Sequence, residues 1–222
     1  MSKINLEIAC FNLESCLIAQ NAGADRIELC ENISLGGITP SDQLVEKALL
    51  AIQINLFLMI RPRGGNFNYS TLEFETMKKD IQNFKSKGVK GFVFGILDEN
   101  KNIDKIRNKE LVELAMPLPC TFHRAFDESH NCFEALEHVI SCGFKTILSS
   151  GQKKTALEGV ETLKKLILLS EDRIIIMPGG TVRSENIGFL KNQLHTKYFH
   201  SSAIIDNTEL ANQKEIEKLK LI

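Results

Sequence analysis

Residues 121–127 read TFHRAFD. An imidazole, a guanidinium and a carboxylate fall within seven residues of a segment that otherwise has the composition of a buried strand. Charged side chains taken out of water need a partner or a ligand. Similar groups recur along the chain: Glu7 in INLEIAC, Glu28 in RIELC, Arg61 and Arg63 in IRPRGG, and His200 beside Ser201 and Ser202 in FHSS. Glu28, His123, Glu7 and His200 are residue types that transfer protons or bind metal, because their surroundings can bring their titration near neutral pH. Arg61, Arg63 and Arg124, with Asp127, Gly179, Gly180, Ser201 and Ser202, have the donors and open backbone of an anion site.

Such residues need elements that bring them together. Apolar, β-rich runs recur at 4–10, 26–30, 55–62, 91–97, 119–126, 145–150, 173–179 and 197–203. Between them, segments such as LVEKALLAI and FEALEHVI repeat apolar residues at three- and four-residue spacing, which is helical. Thr39-Pro40 reads as a helix N-cap followed by proline, and Ser70 with Glu73 has capping-box form. Alternating strands and helices imply a parallel sheet. Eight such units predict a single (β/α)8 TIM barrel spanning residues 1–222, slightly under the usual size of about 250 residues. An open doubly wound sheet is the alternative and would use fewer strands.

In such a barrel the site lies at the C-terminal ends of the strands. The polar residues sit there, late in each run or just past it. Side chains alternate between the two faces of a strand. Taking the charged face of each strand as the lumen, Glu7, Glu28, Arg61, His123 and His200 point inward. Cys30 also points inward and Cys10 outward. Arg124 is expected to point outward unless the fifth strand bulges or ends before it. The inward ring has two readings at this point. It is a ligand site, or it is a salt-bridge layer that satisfies itself.

Composition narrows the classes. The chain has 222 residues, 43% hydrophobic and 25% charged, with a formal net charge of -1. That balance shows no basic face for nucleic acid. No apolar run approaches the roughly 18 residues of a membrane span, and the N-terminus has no signal-peptide core. The six cysteines contain no CxxC pair, so free thiols in a cytoplasmic protein are expected. No GxGxxG follows the first strand, and there is no GxxxxGK[ST].

The segments GADRIELC, GGITPS, IRPRGGNFNYS, GILD, TFHRAFD, ILSSGQ, MPGGTVRSEN and FHSSA resemble the CutC family of copper homeostasis proteins, in order, from Leu6 to about Ala203. The resemblance implies a TIM barrel, a cytoplasmic location, a homodimer and copper handling. Two positions depart from the family pattern: Asn66 stands where Asp is usual, and Thr181 where a third glycine is common. Cytoplasmic copper is Cu(I), which prefers sulfur. Cys10 and Cys30 match cysteines of the relatives and are the metal candidates. Two functions are thus carried forward. One is Cu(I) binding through these sulfurs. The other is an enzyme acting on a small anionic metabolite, phosphorylated or not, with Glu28 or His123 as acid or base and an arginine clamp.

Overall fold

The computed structural model describes residues 3–222. Eight strands carry the fold: β1 (Asn5–Cys10), β2 (Arg26–Leu29), β3 (Asn55–Met59), β4 (Gly91–Phe94), β5 (Cys120–Phe122), β6 (Thr146–Ser149), β7 (Ile175–Pro178) and β8 (Tyr198–Ser201). Eight helices alternate with them: α1 (Leu13–Asn21), α2 (Asp42–Ala51), α3 (Thr71–Lys87), α4 (Lys105–Ala115), α5 (Cys132–Cys142), α6 (Val160–Ser170), α7 (Ile187–Leu194) and α8 (Gln213–Lys220). All ladders are parallel and run in the order β7-β6-β5-β4-β3-β2-β1-β8. β7 and β8 lie against each other without a ladder between them among the described residues, so the barrel is nearly closed.

The expected periodicities build these elements. In β3, Phe57 and Met59 enter the lumen with Cys30 and Val93, while Leu58 and Ile60 join the larger core under the helices. One strand thus feeds two cores, which is why it reads as an unbroken apolar run. α3 buries Phe74, Met77, Ile81 and Phe84, spaced by three and four residues. Fully burying one such phenylalanine contributes roughly 1.5–3 kcal/mol. The Ser70–Glu73 capping box forms as expected.

α2 departs from expectation. Its cap is Ser41 and its first residue Asp42, not Thr39 and Pro40. The Thr39 hydroxyl is used elsewhere, accepting the Arg61 backbone N–H at 2.8 Å. The Thr39 N–H in turn reaches the Arg61 carbonyl at 2.9 Å, so the segment is pinned beside β3 before the helix begins. No helix among the described residues is long and apolar enough to cross a membrane.

Candidate functional site

A cavity of about 310 Å3 opens at the C-terminal ends of the strands. Its floor and walls include Glu28 of β2 and Cys30 just past it, Met59 of β3 and Arg61 two residues beyond, His123 after β5, and His200 and Ser201 of β8 with Ser202 just past it. Arg124, Gly180, Thr181 and Arg183 line it as well. Beneath it, at the N-terminal ends, lies a cavity of about 180 Å3 whose wall includes Glu7, Arg26, Asn55 and Tyr198.

The two cavities are joined by a chain of charged groups. Arg26 Nε donates to Glu7 Oε2 at 2.5 Å, and His200 Nδ1 lies 2.7 Å from Glu7 Oε1. His200 Nε2 is then 3.8 Å from Glu28 Oε2. The strand registers explain this alignment. Glu7 pairs with Arg26 on one side and His200 on the other, so all three face the lumen side by side. Burial alone would raise the Glu7 carboxyl, but Arg26 and His200 hold it down at about 2. Burial opposes a charge on His200, yet Glu28 and Glu7 outweigh it and raise the imidazole. Glu28 goes the other way. Burial, with the Glu7 charge adding to it, raises Glu28 to about 7 against the pull of His200 and Arg26. Its Oε1 is buried with no hydrogen-bond partner.

His123 is held differently. Its Nδ1 accepts the Ala125 N–H at 3.3 Å, which leaves the ring proton on Nε2. That Nε2 is buried and has no partner. Burial, and then the charge of Arg61, lowers the imidazole to about 3, so the ring is neutral. Gly95 makes room for it, since a Cβ there would lie 2.9 Å from His123 Nδ1. The lowered titration and the Nδ1 contact both favour the neutral ring with its proton on Nε2.

The arginine expectations divide. β5 ends at Phe122, and residues 124–128 form a short 3-10 turn, so Arg124 swings into the cavity rim. There it is held by Asp127 at 2.8 Å and Ser150 Oγ at 2.7 Å. It lies against Gly180, at φ +91, where a Cβ would come within 3.4 Å of its guanidinium. Arg61 lines the cavity with its Nε unpartnered, but its terminal nitrogens are committed to backbone carbonyls. Its Nη1 donates to the carbonyls of Leu35, Gly36 and Gly37 at 3.0–3.3 Å, and its Nη2 to Gly65 O at 2.9 Å. It staples two loops together. Arg63 stands outside the cavity, tied to Glu73 at 2.6 Å and to the carbonyls of Gly64, Asn66 and Asn68.

Asp127 likewise organises the rim without lining it. Its carboxylate accepts from Ser149 Oγ, from the backbone of Ser150 and Gln152, and from Arg124. Gly179 is no open anion donor, because its N–H goes to Ser149 O at 2.9 Å; of the two glycines Gly180 lines the cavity. Ser201 Oγ is engaged with Val182 O at 2.7 Å.

Arg183 was not anticipated. It lines the cavity, and its Nη atoms reach Ser201 Oγ at 3.0 Å and Ser202 Oγ at 3.4 Å. Together Arg124 and Arg183 place two cations on one rim. The legible signal was its place just after the glycine pair of β7. Arg26 was equally legible by alternation with Glu28. Thr181 adopts φ +56, a left-handed conformation that a β-branched residue takes only under strain.

Cys10 and Cys30 part company. Cys10 packs in the outer core and Cys30 in the lumen cluster with Phe57, Met59 and Val93. Burial, the largest effect on each, raises both thiols well above their ordinary value. One group among the described residues has a spacing that could hold a metal ion: Glu7, Glu28 and His200, whose donor atoms lie within 4.8 Å of one another. Two carboxylates and an imidazole do not match the sulfur preference of Cu(I). Glu7 also already spends both oxygens on Arg26 and His200. Cys10 and Cys30, in separate clusters, are not brought together as a sulfur pair.

Fold and site together define a (β/α)8 barrel with a buried acid–base pocket at the C-terminal ends of its strands. The chain belongs to the CutC family, whose model matches residues 4–205. It is 43% identical over 198 residues to a human protein named copper homeostasis protein cutC homolog, covering 89% of this chain and 72% of that one. It is 43% identical over 203 residues to a CutC family protein of Chromobacterium violaceum, covering 91% and 82%. Among solved structures it resembles the putative copper homeostasis protein CutC of Streptococcus agalactiae, with TM-score 0.85 and 32% identity over 90% of this chain and 98% of that one.

Proposed function

We propose that the protein is a barrel enzyme that moves a proton on a small anionic metabolite, with Glu28 as the acid–base group. One observation carries this reading. Glu28 lines the upper cavity with a buried oxygen that no protein group satisfies, and its titration is raised to about 7. A carboxyl poised near the working pH both takes and returns a proton. His200, braced by Glu7 and pushed toward its charged form by the two carboxylates, stabilises the Glu28 carboxylate once the proton has gone. Arg124 and Arg183 hold the anionic end of the substrate at the rim. The six cysteines, all free and buried, suit a reducing cytoplasm. The family resemblance adds a homodimer to the same proposal, to be read by sedimentation.

A second reading, copper handling, is favoured by the names of the relatives and by Cys30 and Met59 sharing the lumen cluster. The two readings differ in what protects the fold. A ligand of the native state raises its stability by mass action. Millimolar phosphate should raise the melting temperature of the wild type but not of Arg124→Ala. No protection of the wild type would count against the enzyme.

A further inference from the structure

Of the residues lining the upper cavity, Glu28, Arg61 and His123 each keep a buried polar atom without a partner, and two of these atoms, Glu28 Oε1 and His123 Nε2, suit an uncharged carbonyl group and the carbon beside it. Leaving a buried donor or acceptor unpaired costs about 1–3 kcal/mol, so a native pocket that keeps both has a use for them. They are complementary. One is an acceptor that takes a proton, the other a donor that stays a donor. Of the fixed cations lining the pocket, Arg61 has its terminal nitrogens on loop carbonyls, and Arg124 and Arg183 stand at the rim.

We propose that His123 Nε2–H is the oxygen-binding donor of the pocket, and that the substrate class is an enolisable carbonyl compound carrying a phosphate or carboxylate group. This rests on the reading of Glu28 as the acid–base group. The carbonyl oxygen accepts from His123 while the anionic end reaches Arg124 and Arg183. The bond between hydrogen and the carbon next to the carbonyl breaks, and its proton goes to the Glu28 carboxylate. The electron pair left behind forms a carbon–carbon double bond, and the carbonyl π pair moves onto oxygen. The resulting enolate oxygen strengthens its hydrogen bond to His123. Where that carbon bears a hydroxyl, the hydroxyl proton passes to the enolate oxygen, the hydroxyl carbon becomes the new carbonyl, and Glu28 returns its proton to the former carbonyl carbon, which completes an isomerisation with no oxidant or further reactant.

The surroundings of His123 suit this role. The Ala125 N–H fixes the tautomer from one side. The rings of Phe67 and Phe122 pack on the imidazole from two others, with centroids at 4.8 and 6.1 Å. Burial, and then the positive charge of Arg61 beside it, favour the neutral ring. A neutral imidazole polarises a carbonyl without giving up its proton to the enolate, a pairing with a carboxylate base known from other barrel chemistry.

The test uses 2-phosphoglycolate, whose planar carboxylate mimics an enediolate, against inorganic phosphate. Nitrogen-15 spectra of histidine-labelled wild type should show His123 as the neutral Nε2–H tautomer from about pH 5 to about pH 8. Its Nε2–H proton should move downfield when 2-phosphoglycolate binds. His123→Ala should weaken 2-phosphoglycolate by about tenfold or more and phosphate by less than about twofold. His123→Gln, which keeps a donor, should recover part of the loss. If the variants do not fold, the wild-type spectra decide alone. A His123 that takes up a second proton above about pH 5, or whose N–H ignores bound 2-phosphoglycolate, overturns the inference and leaves Glu28 as acid–base group untouched. Failure of both anions to bind the wild type overturns both.

Discussion

His200 Nδ1 lies 2.7 Å from Glu7 Oε1, across a ladder that sets these two residues side by side on β8 and β1. The contact makes the lumen ring a connected chain and not a set of separate charges. Glu7 is its centre, holding Arg26 below and His200 above.

Glu7→Gln should therefore break two buried ion pairs at once. The expected loss is about 3 kcal/mol of unfolding free energy, because Arg26 and His200 lose their counter-charge. The folded Glu7 titrates at about 2, below its ordinary 4.5. Its stabilisation is fully present above about pH 4.5 and is lost as pH falls toward about 2. Denaturant titrations across this range should show that acid limb in the wild type and not in the variant. A loss under about 1 kcal/mol at neutral pH would contradict the account.

Glu28→Gln should stabilise. Folding raises this carboxyl from 4.5 to about 7, so the native state binds the extra proton in that window. Wild-type stability then falls as pH rises from about 4.5 to about 7 and is level above it. The variant escapes this penalty. Above pH 7 it should be more stable by on the order of 2 kcal/mol, with the gap closing below about pH 4.5. Equal stability at both ends of the range would show that burial does not strain Glu28.

The anion should separate the arginines. Arg61→Lys loses the fork that gathers Leu35, Gly36, Gly37 and Gly65 carbonyls, and should cost about 2–4 kcal/mol. Phosphate protection should survive in it. Arg124→Ala and Arg183→Ala should lose most of the protection, and each should also lower the melting temperature without phosphate, since Arg124 is tied to Asp127 and Ser150 and Arg183 to the Val182 and Ile204 carbonyls. The check is melting temperature with and without millimolar phosphate in all three.

Copper should not depend on the cysteine pair. The thiols lie in separate clusters on the two sides of the sheet. Competition with a chromophoric Cu(I) chelator should give the same retention for the wild type and for Cys10→Ala with Cys30→Ala. Stoichiometric Cu(I) retained by the wild type alone would favour the copper reading over the enzyme.

Much of this was legible in the sequence because period and punctuation are local. The eight strand runs, the Ser70–Glu73 cap and the inward turn of Glu28, His123 and His200 follow from alternation and spacing. What alternation could not supply were partners distant in sequence. Arg61 looks like a ligand clamp until the carbonyls of residues 35–37, folded back from another loop, are seen to occupy it. Alternation alone leaves Arg124 outward unless the strand ends early, and the run PCTFHRAF does not show that end, whereas the strand stops at Phe122 and turns. Glu7 and Glu28 have the same residue type on the same face. Arg26 beside one and burial around the other send their titrations in opposite directions.

The central claim is that Glu28 is a carboxyl poised near neutrality in the upper cavity. Carbon-13 spectra of glutamate-labelled protein, wild type minus Glu28→Gln, isolate its carboxyl signal. The account predicts a midpoint near 7. A midpoint at or below the ordinary 4.5 would contradict it, leaving the ring a salt-bridge layer that satisfies itself.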